Sequence, residues 1–103
     1  MKIDKHNKDI SILFNAILEL KNKNECWKFF RDLLTEAEIK EFTNRWKVAR
    51  MLDRKISYEK IERETGMSST TIARVNKWLT NGKGGYKLML KRLKIKQSNA
   101  LMI

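Results

Sequence analysis

The chain has 103 residues, 42% of them hydrophobic, and 23 Lys and Arg against 12 Asp and Glu give it a formal charge of +11. A chain of this length is expected to form one domain with a modest core, which a second copy would help to stabilise. The hydrophobic share is enough for a folded rather than a disordered chain, and no Pro, only four Gly and abundant Lys, Glu, Leu and Ile favour an all-α fold.

Residues 1–8 are polar and read as a flexible N-terminal arm. Residues 9–21 carry Ile10, Leu13, Ile17 and Leu20 on one helical stripe, with Phe14 and Leu18 beside it and Ile12 and Ala16 widening it. A surface helix has a narrower apolar stripe, so this helix is expected to be covered on more than one side, as a dimer would do. Asn24 is the expected cap of a second helix over 25–34, which bears Trp27, Phe30, Leu33 and Leu34. Cys26, with Trp27 and Phe29 as neighbours, reads as a buried, inert thiol. Thr35 and Glu38 form a capping box. The helix they open is expected to run to about Arg54, with Ile39, Phe42, Trp46, Ala49 and Leu52 or Met51 on its inner face. Ile56 reads as a buried contact that fixes the entry into the next unit.

That unit, residues 57–80, reads as a helix-turn-helix. Ser57 caps a short helix over 58–65, Gly66 supplies the left-handed turn, and Ser68 or Ser69 caps a second helix to about Leu79. Ile61, Thr65, Met67, Ile72 and Val75 fall where the two helices must touch. Glu62, where a small residue is usual, must point outward or hold the helices slightly apart. Ser69, Thr70, Thr71, Ala73, Arg74 and Lys77 are left on the leading end or outer face. Short hydroxyls, a methyl and two cations suit a tip that enters the major groove. Gly82, Gly84 and Gly85 then stop the helix. A last helix over 86–95 is expected to turn Tyr86, Met89, Leu90 and Leu93 inward and Lys87, Lys91, Arg92 and Lys94 outward, leaving 96–103 as a tail with an apolar end.

Charge is segregated along the chain. All 12 acidic residues lie at or before Glu64, and the 39 residues from Thr65 onward carry eight Lys and Arg and no acid. Such a cationic block attracts polyanions and releases their counterions.

Taken in order, Leu33-Leu34-Thr35-x-x-Glu38, Arg45, Tyr58-x-x-Ile61-x-x-x-Thr65-Gly66, Thr71-Ile72-x-Arg74-Val75-Asn76 and Asn81-Gly82-x-x-Gly85-Tyr86 resemble the tryptophan-repressor superfamily, in particular its Trp-repressor-related (YerC/YecD-type) branch. The resemblance covers roughly residues 9–93. It implies a six-helix domain over 9–95, an intertwined homodimer, and a cytoplasmic transcriptional regulator, most often a repressor, that binds a near-palindromic operator in double-stranded DNA. It also implies base reading by Ser69, Thr70 and Thr71. Arg63, Arg74, Lys77, Lys83 and Lys87 are the expected phosphate contacts. Thr35, Arg45 and Arg74 match the family's effector site, but the small residues that admit an indole are replaced by Val75 and Trp78. No response to free tryptophan is therefore expected, and any other small-molecule effector is unknown. Two basic phosphate contacts of the founding repressor are Glu59 and Glu62 here, so Lys60 and Arg63 must substitute or the docking angle differs.

No other chemistry is suggested. His6 is the only histidine, and the glutamates near positions 36–41 and 59–64 have the spacing of helical ion pairs. One cysteine excludes an internal disulfide and a cysteine zinc site. The glycine-rich stretch lacks the ending of a phosphate-binding P-loop. Trp27, Trp46 and Trp78 read as core. No enzyme activity, cofactor or metal is expected. No apolar run reaches the ~20 residues that span a bilayer, and the first residues lack the apolar segment of a signal peptide. The competing reading is a helical interaction module that holds an acidic protein or a membrane surface through the cationic C-terminal block. RNA binding lacks an aromatic stacking platform.

Overall fold

The computed structural model describes residues 3–101, with side chains through residue 97. Among the described residues there are six helices and no strand: α1 (Lys8–Leu18), α2 (Lys23–Leu33), α3 (Glu36–Asp53), α4 (Tyr58–Thr65), α5 (Ser69–Asn81) and α6 (Gly85–Leu101). The all-α class matches expectation. The chain divides into two compact units, one ending at Ile39 and the other starting at Lys40.

In the first unit, Asn7 starts α1 by accepting the N–H groups of Asp9 and Ile10 at 2.9 and 3.2 Å. Its own N–H closes a turn onto the Asp4 carbonyl at 2.9 Å. The second cap is Asn22 rather than Asn24. Its Oδ1 accepts the Glu25 N–H at 2.9 Å, while the Glu25 carboxylate accepts the Lys21 N–H at 3.0 Å. This reciprocal pair satisfies two backbone donors at once and starts α2 two residues earlier than expected. The predicted capping box of α3 is present, with Glu38 N–H to Thr35 Oγ1 at 3.1 Å and Thr35 N–H to Glu38 Oε1 at 2.9 Å.

No residue of α1 or α2 is buried. Leu18 is 80% exposed and Trp27 61%, and Ile12, Phe14 and Leu33 are exposed as well. Trp27 is thus not a core residue of the single chain, and Cys26 is half-buried rather than buried. Of the apolar face read from spacing, the stripe Ile10, Leu13, Ile17 and Leu20 is half-buried, and the residues that widen it, Ile12, Phe14, Ala16 and Leu18, are exposed.

The second unit has a defined core. Val48, Ala49, Met51 and Leu52 of α3 meet Ile61 of α4, Ile72, Val75 and Leu79 of α5, and Leu90 of α6. Trp46, Ile56, Met67 and Tyr86 pack against this cluster. The inner face of α3 is shifted from the expected one: Val48 is buried, while Phe42 is exposed, because the buried positions of α3 are confined to its second half. Lys55 ends α3 in the left-handed region at φ 63°. Its N–H donates to the Leu52 carbonyl at 2.9 Å, and the Ile56 N–H donates to the Met51 carbonyl at 3.1 Å. This C-terminal motif normally favours Gly. Here, without Gly or Pro, it sets Ile56 against the core, half-buried rather than buried as expected.

In α6, Tyr86 and Leu90 pack inward, but Met89 and Leu93 are exposed, as is Trp78 of α5. The helix also continues past residue 95 to Leu101. Lys, Gln, Ala and Leu sustain helix, and neither Gly nor Pro interrupts them. Met102 and Ile103 of the expected tail lie outside the described residues. Lys94 of α6 pairs with Asp53 of α3 at 2.6 Å.

Candidate nucleic-acid interface

The α4–α5 pair is assembled by short-range hydrogen bonds. Ser57 Oγ accepts the Lys60 N–H at 3.3 Å and starts α4. Gly66, at φ 71°, ends it, donating its N–H to the Glu62 carbonyl at 2.9 Å. Thr65 Oγ1 donates to the Ile61 carbonyl at 2.7 Å and accepts the Met67 N–H at 3.2 Å, so one side chain ties the helix to the turn. Ser68, not Ser69, caps α5. Ile61, Ile72 and Val75 are wholly inaccessible between the helices. Glu62 is half-buried, and the contact is closed with it in place.

This packing decides which side chains remain available. Ser69, Thr70, Ala73, Arg74 and Lys77 are exposed, and Thr71 is half-buried. Ser69 and Thr70 form the leading end of α5. The Thr71 N–H is taken up by Ser68 Oγ at 3.2 Å, and the two hydroxyls lie 3.1 Å apart. Arg63, Arg74, Lys77 and Lys83 are exposed, and among the described residues none of them forms an ion pair. Lys87 differs: its Nζ donates to the Thr80 carbonyl at 3.2 Å, satisfying an orphan acceptor near the end of α5.

The glycines after α5 act in different ways. A Cβ on Gly82 would lie 2.3 Å from the Trp78 carbonyl oxygen, so no side chain fits there. Gly84 has φ +89°, which L-residues rarely adopt. The helix ends at Asn81, two residues beyond the expected Leu79.

The residues matched to an effector site have separate local roles. Thr35 is engaged in the α3 capping box. Its N–H, and then its hydroxyl, hold the Glu38 carboxyl below its ordinary value. Arg45 pairs with Glu41 at 3.3 Å. Arg74 is exposed, and the Val75 beside it is part of the core. Trp78 lines a groove of about 810 Å³ with Trp46, Tyr86 and Met89. The rings of Trp46 and Tyr86 stack there, 6.2 Å apart and inclined by 21°.

A second cleft was not anticipated. Lys47, Arg50 and Arg54 of α3 and Lys60 of α4 line it with the single acid Glu64, around about 310 Å³. Its signal was present in the chain, since positions 47, 50 and 54 share one helical face.

A family model described as Trp repressor protein matches residues 8–94. The chain is similar to YerC, an uncharacterized protein of Bacillus subtilis (strain 168), at 47% identity over 95 residues, covering 91% of each chain. A TrpR-like protein from Eubacterium eligens ATCC 27750 matches in structure with a TM-score of 0.85 and 39% identity, over 87% of this chain and 93% of that one. A Staphylococcus aureus protein described as a candidate Trp repressor matches with a TM-score of 0.85 and 41% identity, over 92% of this chain and 96% of that one.

Proposed function

The chain belongs to the Trp repressor family of DNA-binding transcriptional regulators, and from that premise we propose that it is a cytoplasmic, homodimeric repressor that reads a near-palindromic operator. The observation that carries this reading is the exposed leading end of α5, Ser69 and Thr70, on a chain whose exposed Arg63, Arg74, Lys77 and Lys83 form no ion pair among the described residues. Ser69, Thr70 and Thr71 read base edges. Arg63, Arg74, Lys77 and Lys83 hold phosphates, while Lys87 has its primary contact on α5. The exposed Ile12, Phe14 and Leu18 of α1 support pairing with a second copy. In a two-fold dimer the two tips address half-sites one DNA turn apart.

Free tryptophan is not the effector in this reading. Val75 belongs to the protein core, and Trp78 brings an indole of the protein's own. Isothermal calorimetry with tryptophan is expected to give no heat of binding.

Fluorescence anisotropy against a random duplex at two salt concentrations tests the DNA reading. A phosphate binder loses orders of magnitude in affinity between low and moderate salt. The rival, an adaptor for an acidic protein or a membrane surface, gives no duplex affinity in the same titration.

A further inference from the structure

We propose that the cleft between α3 and α4 is a second phosphate-binding site, one that seats the backbone of bound DNA away from the tip of α5. Four cations converge on it: Lys47, Arg50 and Arg54 from α3, and Lys60 from α4. Glu64 is the only acid in its lining. Among the described residues none of the four cations forms an ion pair; the ion pairs there use Arg31, Arg45 and Lys94 instead. Arg50, Arg54 and Lys60 are exposed and Lys47 is half-buried.

Like charges gathered around one cleft repel one another, and the compact state bears that cost until an anion arrives. Two guanidinium groups can each offer paired donors to phosphate oxygens, and two ammonium groups add point charges. The floor is fixed. Met51 and Ile56 line the same cleft and belong to, or pack on, the core, so the cationic side chains rise from a rigid base. The occupant follows from position. Lys60 lies on α4, the helix that packs against α5, and its N–H is part of the α4 cap on Ser57. A phosphate seated here would tie the duplex to the same rigid unit that carries the reading tip. Contacts of this kind set register and orientation without reading sequence.

The inference rests on the DNA-binding reading, and the test separates the two. Full-length protein is titrated with a fluorescent duplex across a salt series, alongside the triple variant K47Q/R50Q/R54Q. A control, K91Q/R92Q/K96Q, removes the same charge from exposed positions of α6 outside the cleft. The salt slope of the cleft variant is expected to fall by roughly 2–3, close to one unit for each lost phosphate contact, and that of the control by less than one. Equal slopes for the cleft variant and the control overturn the site and leave the DNA reading standing. No duplex affinity in the unaltered protein overturns both. Should the triple variant fail to fold by circular dichroism, the single variants R50Q and R54Q, at exposed positions, are each expected to lower the slope by about 0.9. Ethylation interference supplies a second readout. One backbone phosphate whose ethylation weakens the unaltered protein should lose that effect in the cleft variant, and an unchanged interference pattern contradicts the site.

Discussion

Ser68 holds Thr71 at two points. Its Oγ accepts the Thr71 N–H at 3.2 Å and lies 3.1 Å from the Thr71 hydroxyl. The cap that starts α5 therefore also sets the rotamer of a proposed base-reading side chain. Ser68→Ala removes both links. It is expected to cost about 1 kcal/mol of stability, as loss of a serine cap does, and to weaken operator binding by freeing Thr71. Urea unfolding and anisotropy on the same variant check the pair of effects. A loss of stability with unchanged operator affinity would mean that Thr71 is not positioned by its cap.

Thr71→Ala and Lys77→Ala should differ in kind. Thr71 reads a base edge in the proposed function, so its loss is expected to cost about 1–3 kcal/mol on the preferred duplex and blur the preference at one base pair. Exposed, unpaired Lys77 holds a phosphate, so its loss should weaken all duplexes alike and lower the salt slope by about 0.9. Titrations with matched and single-substituted duplexes separate the two patterns.

Gly82→Ala should be more damaging than Gly85→Ala. A Cβ at 82 would sit 2.3 Å from the Trp78 carbonyl oxygen, while at 85 nothing lies within 4 Å. Forcing the former apart is expected to cost roughly 1–3 kcal/mol, the range for overpacking. Midpoints of urea unfolding for the two variants give the comparison, and equal midpoints would contradict the close approach.

Acid should loosen the start of α3. The Thr35 N–H, then the Thr35 hydroxyl, lower the Glu38 carboxyl from its ordinary value of 4.5. A carboxyl depressed in the folded state adds stability that is present above its unfolded value and lost as pH falls through the folded one. The contribution is small because the group is exposed. Glu38→Gln keeps an acceptor for the Thr35 N–H but cannot titrate. Thermal unfolding followed between neutral pH and the region below 4.5 should therefore show a shallower fall for this variant. A fall as steep as that of the unaltered protein would place the acid sensitivity elsewhere.

Local chemistry was legible in the chain wherever one residue decides it. The Thr35–Glu38 box, the Ser57 cap, the left-handed Gly66 and the Ile61–Ile72–Val75 contact were all read from spacing, and all are present. Readings failed where two residues competed or where cover was assumed. Asn22 prevailed over Asn24 because Glu25 returns a second bond. Trp27, Phe42, Trp78, Met89 and Leu93 have the spacing of core residues, yet all are exposed in the single chain. Periodicity gives the apolar face of a helix but not what lies against it. The left-handed Lys55 escaped notice for a related reason. A non-glycine residue in that conformation is imposed by the packing of Ile56 rather than by its own preference. The cleft of Lys47, Arg50, Arg54 and Lys60 joins two helices, and one-helix periodicity cannot pair them.

Selection of bound duplexes from a random pool tests the central claim most directly. The account predicts enrichment of a near-palindrome whose half-sites lie about one helical turn, roughly 10 base pairs, centre to centre, and loss of that enrichment for a variant altered at Ser69, Thr70 and Thr71 together. A pool that stays random, or one that converges on a single unrepeated half-site, would contradict a paired reading tip.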